Sequence, residues 1–290
     1  MKKMLKRVGL VLLILLALLV MFVGYINVNI NNRMEKAYHF QPAELNIPAD
    51  SISLQAGKHL VNIKGCADCH GKNLAGTPFI NDPALGSISA PNLTRGKGGL
   101  PADFSDRDWV MALQHGVGKD GKTLFVMPSH ESSVLSDEDM ANIIAYCKSV
   151  PPVDNELPAP VVKPLAKVLA FMGQLPLLSA ELVDHDLPRV ATITPAETPA
   201  YGKYLSVSCI GCHAANLKGG KHPVPNFPAV PDITSASRTG KLSADEFMHV
   251  LRTGITPDGR QMKAEHMPWP MTKEYSDLEI RALYLYLKSI

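Results

Sequence analysis

The strongest hydrophobic pattern lies at the start of the chain. From Val8 to Ile26 the sequence is apolar except at Gly9, Gly24 and Tyr25, and Lys2, Lys3, Lys6 and Arg7 precede it. A helix of that length rises about 28 Å, close to one hydrocarbon core. A cleaved signal peptide normally has a shorter apolar stretch and a small-x-small cleavage site. Here the run ends in Asn-Val-Asn-Ile-Asn-Asn, and no cysteine follows that could carry a lipid. An uncleaved anchor is the favoured reading, and a cleaved signal is the alternative. The basic cluster places the rest of the chain outside the cytoplasm.

Beyond residue 50 the pattern becomes that of short amphipathic helices. Ser105-x-x-Asp108, Ser136-x-x-Asp139, Ser243-x-x-Glu246 and Ser276-x-x-Glu279 read as helix starts. The helix after Ser136 carries Met140, Ile143, Ile144 and Cys147 on one stripe. Gly- and Pro-rich stretches with little strand pattern separate these segments. Loops that long are unusual in so small a unit unless they wrap a large apolar group that serves as core.

The same unit occurs twice. Gly57-Lys-His-Leu answers Gly202-Lys-Tyr-Leu, Cys66-Ala-Asp-Cys69-His70 answers Cys209-Ile-Gly-Cys212-His213, and Pro91-Asn-Leu-Thr94 answers Pro231-Asp-Ile-Thr234. Asp120-Gly-Lys, Met127-Pro and the final Tyr146-Cys-Lys-Ser correspond to Asp258-Gly-Arg, Met267-Pro and Tyr286-Leu-Lys-Ser. The expected organisation is a membrane anchor over 1–30, a stalk over 31–53, helical units over 54–150 and 199–290, and a linker over 151–198. Prolines at 151, 152, 158, 160 and 164 stiffen the linker's entry. Its apolar stretch Leu165–Leu178 is too short and broken to span a membrane. It reads as a helix packed on the units, or alternatively as a surface that rests on the bilayer or docks a partner.

Charge changes this picture little. The formal +2 includes the four basic residues of the first seven, so the exported part has 25 Lys+Arg against 27 Asp+Glu. That balance offers no nucleic-acid surface.

The five cysteines are more informative. Two C-x-x-C pairs and the single Cys147 do not make a disulfide framework in an exported chain. C-x-x-C-H is the attachment signature of c-type heme, in which two thiols add across the heme vinyl groups and the adjacent imidazole faces the iron. A lone copy also fits a redox dithiol or half a zinc site. Two copies at the same place in a repeat, 143 residues apart, favour heme, so two covalently bound hemes c are expected on Cys66, Cys69, Cys209 and Cys212. His70 and His213 are then the proximal iron ligands.

For the distal ligand the repeat eliminates most candidates. Met111, Met140, Met248, Met262 and Met271 align with His249, Ile280, Val110, Leu124 and Glu131. Only Met127 and Met267 recur, 57 and 54 residues past their histidines, and His/Met ligation raises the potential as an electron carrier requires. A core-filling Met-Pro is the bland alternative. His130, His266, His115 and His59 read as pocket or surface histidines, and Cys147 as a buried hydrophobe.

These motifs resemble the class I cytochrome c family: an N-terminal helix, Cys-x-x-Cys-His, a distal Met-Pro and a C-terminal helix that crosses the first. Ala112-Leu-Gln-His-Gly116 with Asp120-Gly-Lys122, and Val250-Leu-Arg-Thr-Gly254 with Asp258-Gly-Arg260, are similar to repeats in the cytochrome subunits of bacterial membrane-bound alcohol, aldehyde and gluconate dehydrogenases. This chain departs from them in carrying two units and an N-terminal span. The resemblance implies a mainly α fold of two tandem cytochrome c-like domains behind one transmembrane helix. It also implies that Gly57 and Gly202 admit Tyr146 and Tyr286, and that Asn92 and Thr234 lie near a heme propionate.

The expected function is transfer of single electrons between a periplasmic donor and a respiratory-chain acceptor at the bacterial inner membrane. Redox proteins such as a dehydrogenase, a terminal oxidase or another cytochrome are the expected partners. The alternative is a diheme enzyme, a peroxidase or small sulfur-compound oxidase, with one reactive heme. A sensor or assembly module is a third reading.

Overall fold

The computed structural model describes residues 2–222 and 227–290 and is mainly helical. Helix α1 (Lys2–Met34) is a single rod that runs past the apolar stretch; it is exposed over the first 22 residues and buries Ile26 and Ile30 near its end. The first unit follows as α2 (Ser51–Ile63), α3 (Cys66–His70), α4 (Asp106–His115), α5 (Ser129–Ser132) and α6 (Asp137–Ser149). After α7 (Pro164–Phe171) in the linker, the second unit repeats the order with α8 (Pro199–Leu205), α9 (Ile210–His213), α10 (Ala244–Thr253), α11 (Trp269–Thr272) and α12 (Asp277–Lys288).

The Ser-x-x-acid motifs act as helix caps. Ser105, Ser243 and Ser276 each form a reciprocal capping box with the acid three residues on, and Ser136 accepts from the Asp139 amide. Each unit is closed by its first helix crossing its last, and glycine permits the approach. A methyl group at Gly57 would lie 1.9 Å from the Asn142 carbonyl oxygen and 2.8 Å from Tyr146 Cβ; at Gly202 it would lie 1.9 Å from the Ala282 oxygen and 2.8 Å from Tyr286 Cβ.

Two features differ from the pattern-based expectation. A small antiparallel sheet forms from β1 (Thr77–Asp82), β2 (Gly86–Ala90) and β3 (Val161–Val162), the last supplied by the linker. The sequence hides it because β1 contains Pro78 and Asp82 and has no period-2 alternation. Residues 35–50 are not a free stalk either. Their Tyr38 amide donates to the Gly121 carbonyl (2.8 Å) and the Ala43 amide to Gln114 Oε1 (3.1 Å). Phe40 stacks on His115 and His185 at 4.6 and 3.9 Å. Ala43, Leu45 and Ile47 also pack on the core, but they are scattered among polar residues and prolines with no helix or strand period, so the pattern does not register the strap.

The two units pack against each other about a pseudo-two-fold axis. His59 on α2 contacts Glu279 on α12 at 2.9 Å, and Tyr204 on α8 donates to Asp139 on α6. His59 and Tyr204 occupy the same repeat position, as do Asp139 and Glu279. Each first helix therefore reaches the third residue of the opposite unit's last helix, an isologous contact within one chain. The buried Tyr275 hydroxyl donates to the Ile63 carbonyl (3.1 Å) across the same interface.

Candidate functional site

The two C-x-x-C-H segments occupy equivalent short helical turns. Gly65 (φ 72°) caps α3 before Cys66, and Gly71 (φ 78°) ends it after His70. In the second unit a 3₁₀ turn Ser206–Cys209 leads into α9, which ends at Ala214. His70 and His213 are both buried, and the Nδ1 of each lies 2.9 Å from a prolyl carbonyl, Pro91 and Pro231 respectively. A carbonyl only accepts, so Nδ1 carries the proton and Nε2 keeps its lone pair. Burial pushes both imidazoles below their ordinary range, partly offset by this hydrogen bond. Both rings are therefore neutral, oriented and competent to bind a metal through Nε2.

The Pro-x-x-Thr elements present these prolyl carbonyls to the histidines, and their other side chains make further hydrogen bonds. Asn92 donates to the Val153 carbonyl (2.8 Å) while its Oδ1 accepts from the Thr94 amide (2.9 Å). Thr234 donates its hydroxyl to Asp232 Oδ1 at 2.8 Å. These side chains brace the loop that carries the acceptor of the histidine proton.

The surroundings of the cysteines disfavour thiolates. Burial pushes the Cys66 thiol up to about 12 and Cys209 up to about 11, and raises Cys69 and Cys212 as well. A redox dithiol needs the opposite shift. Among the described residues no group of three or more His, Cys, Asp or Glu converges as a zinc site would require.

In the second unit Cys209, Cys212 and His213 form part of the wall of a largely apolar cavity of about 570 Å³, and Met267 lines it too. Phe247, Leu251 and Leu283 extend the apolar lining, while Arg238, Arg260 and Lys263 also line it. A neutral imidazole, a thioether sulfur and two thiols around an apolar slot with nearby cations fit an amphiphilic macrocycle that bears carboxylates. Arg238 and Lys263 were not singled out from the sequence, since isolated basic residues in a loop carry no local signal. In the first unit Met127 packs against the same hydrophobic cluster as Cys66 and Trp109.

The remaining candidates fall outside this ligand set. His266 lines the cavity, with its ring 4.8 Å from Phe227. His130 is half-buried, with Nε2 3.9 Å from Glu131. Cys147 is buried on α6, and burial raises its thiol pKa.

Comparisons with known proteins agree with this geometry. The chain is 28% identical over 272 residues to the cytochrome c subunit of alcohol dehydrogenase (quinone) from Gluconobacter oxydans (strain 621H), covering 83% of this chain and 55% of that one. It is 27% identical to the fructose dehydrogenase cytochrome subunit of Gluconobacter japonicus (82% and 52%) and 28% to the gluconate 2-dehydrogenase cytochrome c subunit of Pantoea cypripedii (83% and 60%). The chain thus spans about half the length of these relatives. The family model for cytochrome c matches residues 54–151 and 199–290, the two units that hold the C-x-x-C-H turns, and the chain belongs to the cytochrome c family.

Proposed function

We propose that the chain is a membrane-anchored diheme cytochrome that relays single electrons from a periplasmic donor to a respiratory-chain acceptor. The observation that carries this reading is the duplicated site, in which each buried histidine is held by a prolyl carbonyl with Nε2 free, next to two cysteines. Cys66 and Cys69, and Cys209 and Cys212, are the thioether-forming pairs. His70 with Met127, and His213 with Met267, would hold the iron of a bound heme. Bound heme supplies an iron that cycles between two oxidation states.

The protein's own part is to orient the ligands and bring the two sites together. A methyl group on Gly65 would sit 3.2 Å from Met271 Sδ, and one on Gly211 would sit 3.0 Å from Glu131 Oε1. Glu131 and Met271 hold the same repeat position, so each attachment turn abuts the other unit through the pseudo-two-fold interface. Electrons pass between the units there. Arg238, Arg260 and Lys263 neutralise carboxylates at the second site. Helix α1, long and apolar enough to cross a bilayer, anchors the chain in the inner membrane. A dehydrogenase is the favoured donor, because the relatives are cytochrome subunits of alcohol, fructose and gluconate dehydrogenases.

The test is optical. Full-length protein from a host that matures c-type hemes should show two low-spin hemes, the weak oxidised band of Met–iron bonding, and no response to carbon monoxide. A high-spin heme or ready carbon monoxide binding would overturn the carrier reading and point to an enzyme with an open iron.

A further inference from the structure

The linker helix α7 meets α1 at a depth that has a consequence for where the linker sits. The Phe171 ring lies 6.3 Å from Phe22 and 6.2 Å from Tyr25, edge-on to both. Both belong to the apolar run of α1, and Phe22 precedes its outer end, Ile26, by four residues. At ~1.5 Å per residue Phe22 lies about 6 Å inside that end. A side chain that touches it from outside the helix therefore reaches the same layer, the depth at which interfacial helices bury their apolar face.

What surrounds this contact fits that layer. Leu165, Phe171 and Met172 are exposed on the protein (46%, 37% and 59%), whereas Ala166 is buried. From Val161 to Ser179 the chain has two lysines, Lys163 and Lys167, and no carboxylate, although the exported part as a whole has an acidic excess. Apolar side chains with flanking lysines match acyl chains beneath anionic headgroups. Phe22, Tyr25 and Phe171 form an aromatic cluster of the kind enriched at that boundary. Continuity with α1 identifies the occupant, since this apolar surface extends the one that the span presents to lipid.

We propose that α7 and the turn after it are a membrane contact, with Phe171 and Met172 inserted in the outer leaflet of an anionic bilayer. This rests on the reading of α1 as a membrane anchor. It fixes the first unit close to the surface and limits its rotation about the anchor, which a single helix with a flexible stalk would not do.

A benzophenone photoprobe distinguishes the outcomes. It would replace Met172 in one variant of the heme-loaded full chain and Ile14, within the span, in another. Both would be reconstituted into phosphatidylethanolamine–phosphatidylglycerol nanodiscs, with an unchanged heme spectrum as the check on folding. After illumination, the expected result is a mass shift of one lipid on the peptide carrying either probe. A lipid adduct at position 14 with none at 172, or with a protein adduct there, overturns the proposal while the anchor stands. The absence of lipid adducts at both positions overturns the anchor and the proposal with it.

Discussion

The two repeat units hold the same ligand-bearing residues in different surroundings. In the first, the segment before Met127 is stitched to the linker. The Val126 amide donates to the Leu177 carbonyl (3.0 Å), the Ser179 amide to the Leu124 carbonyl (3.0 Å), and Phe125 bridges to Leu178. In the second, the approach to Met267 depends on its own unit. The Met262 amide donates to the Gly254 carbonyl (2.8 Å), the Met267 amide to the Lys263 carbonyl (3.2 Å), and the Trp269 indole to the Met262 carbonyl (3.2 Å). One distal loop is clamped by the linker, whereas the other, among the described residues, is held by its own turns and by Phe227 of the same unit against His266. A ligand on a loop with fewer external bonds opens more readily, so on the proposed ligand assignment the heme of the second unit should be the more labile.

The largest effect should come from removing the distal ligands one at a time. Met127→Ala and Met267→Ala are each expected to abolish Met–iron bonding at one heme, so that half the heme in the protein binds carbon monoxide. If either substitution opened both hemes, or neither, the assignment of one methionine to each unit would fall. In the unaltered chain, titration with imidazole should displace Met267 at lower concentration than Met127; the reverse order would contradict the clamped-loop comparison.

The clamp itself can be loosened. Leu178 is buried beside Phe125 and Val126, and Leu178→Ala should cost ~2–5 kcal/mol by emptying that space. Its diagnostic consequence is local: the first heme should take up imidazole almost as readily as the second. A loss of stability with no change in the imidazole titration would mean that the linker supports the fold without guarding the ligand.

The helix crossings offer a subtler contrast. Gly57→Ala and Gly202→Ala each force a methyl group against a carbonyl, at a cost of ~1–3 kcal/mol or more. Helix α2 has 13 residues and α8 has 7, and each has a side-chain cap, Asp50 and Thr198 respectively. The longer helix should absorb the displacement better. Hydrogen exchange is therefore expected to rise more over α8 and α12 in Gly202→Ala than over α2 and α6 in Gly57→Ala. Equal increases would indicate that crossing geometry alone decides.

What could be read from the sequence follows the range of each interaction. The caps at Ser105, Ser136, Ser243 and Ser276 and the C-x-x-C-H turns are encoded within a few residues, and the repeat register singled out Met127 and Met267. The β1–β2–β3 sheet, the strap around Phe40 and the clamp at Leu177–Ser179 join segments far apart in sequence with weak patterns of their own. The inter-unit contacts were concealed differently. His59 aligns with Tyr204 in the repeat, a mismatch of residue type that conceals a shared role. In the fold the two do the same work, each reaching an opposing carboxylate at the third position of a helix. The Pro91 and Pro231 carbonyls were likewise in view only as part of a motif, since a backbone acceptor leaves no trace in side-chain chemistry.

His115 carries the difference between the units into pH dependence. It lies buried where the second unit has the exposed Thr253 hydroxyl, and its Nδ1 is 3.0 Å from His185 Nδ1 in the linker. His185 Nε2 donates to the Ala180 carbonyl (2.9 Å), so its Nδ1 must accept the His115 proton. This leaves His115 Nε2 buried without a partner. Burial, then the nearby His185 and Arg189, push the His115 pKa from 6.5 down to about 4. Above pH 6.5 the ring is neutral whether the chain is folded or unfolded, and stability is unaffected. As pH falls from 6.5 towards 4 the unfolded chain takes up a proton that the folded chain refuses, so stability declines. With allowance for solvent screening the loss at pH 5 is on the order of 1 kcal/mol. Glu131, which burial raises to about 7, and His130, which burial lowers, titrate alike in the unaltered chain and in His115→Gln. Denaturant unfolding at pH 7 and pH 5 should therefore show this loss as the difference between the two chains, in exchange probes of the first unit and linker. If the two chains lost stability equally, or the difference appeared equally in α8 and α12, acid sensitivity would belong to some other group and the histidine pair would not be what ties the linker to the first unit.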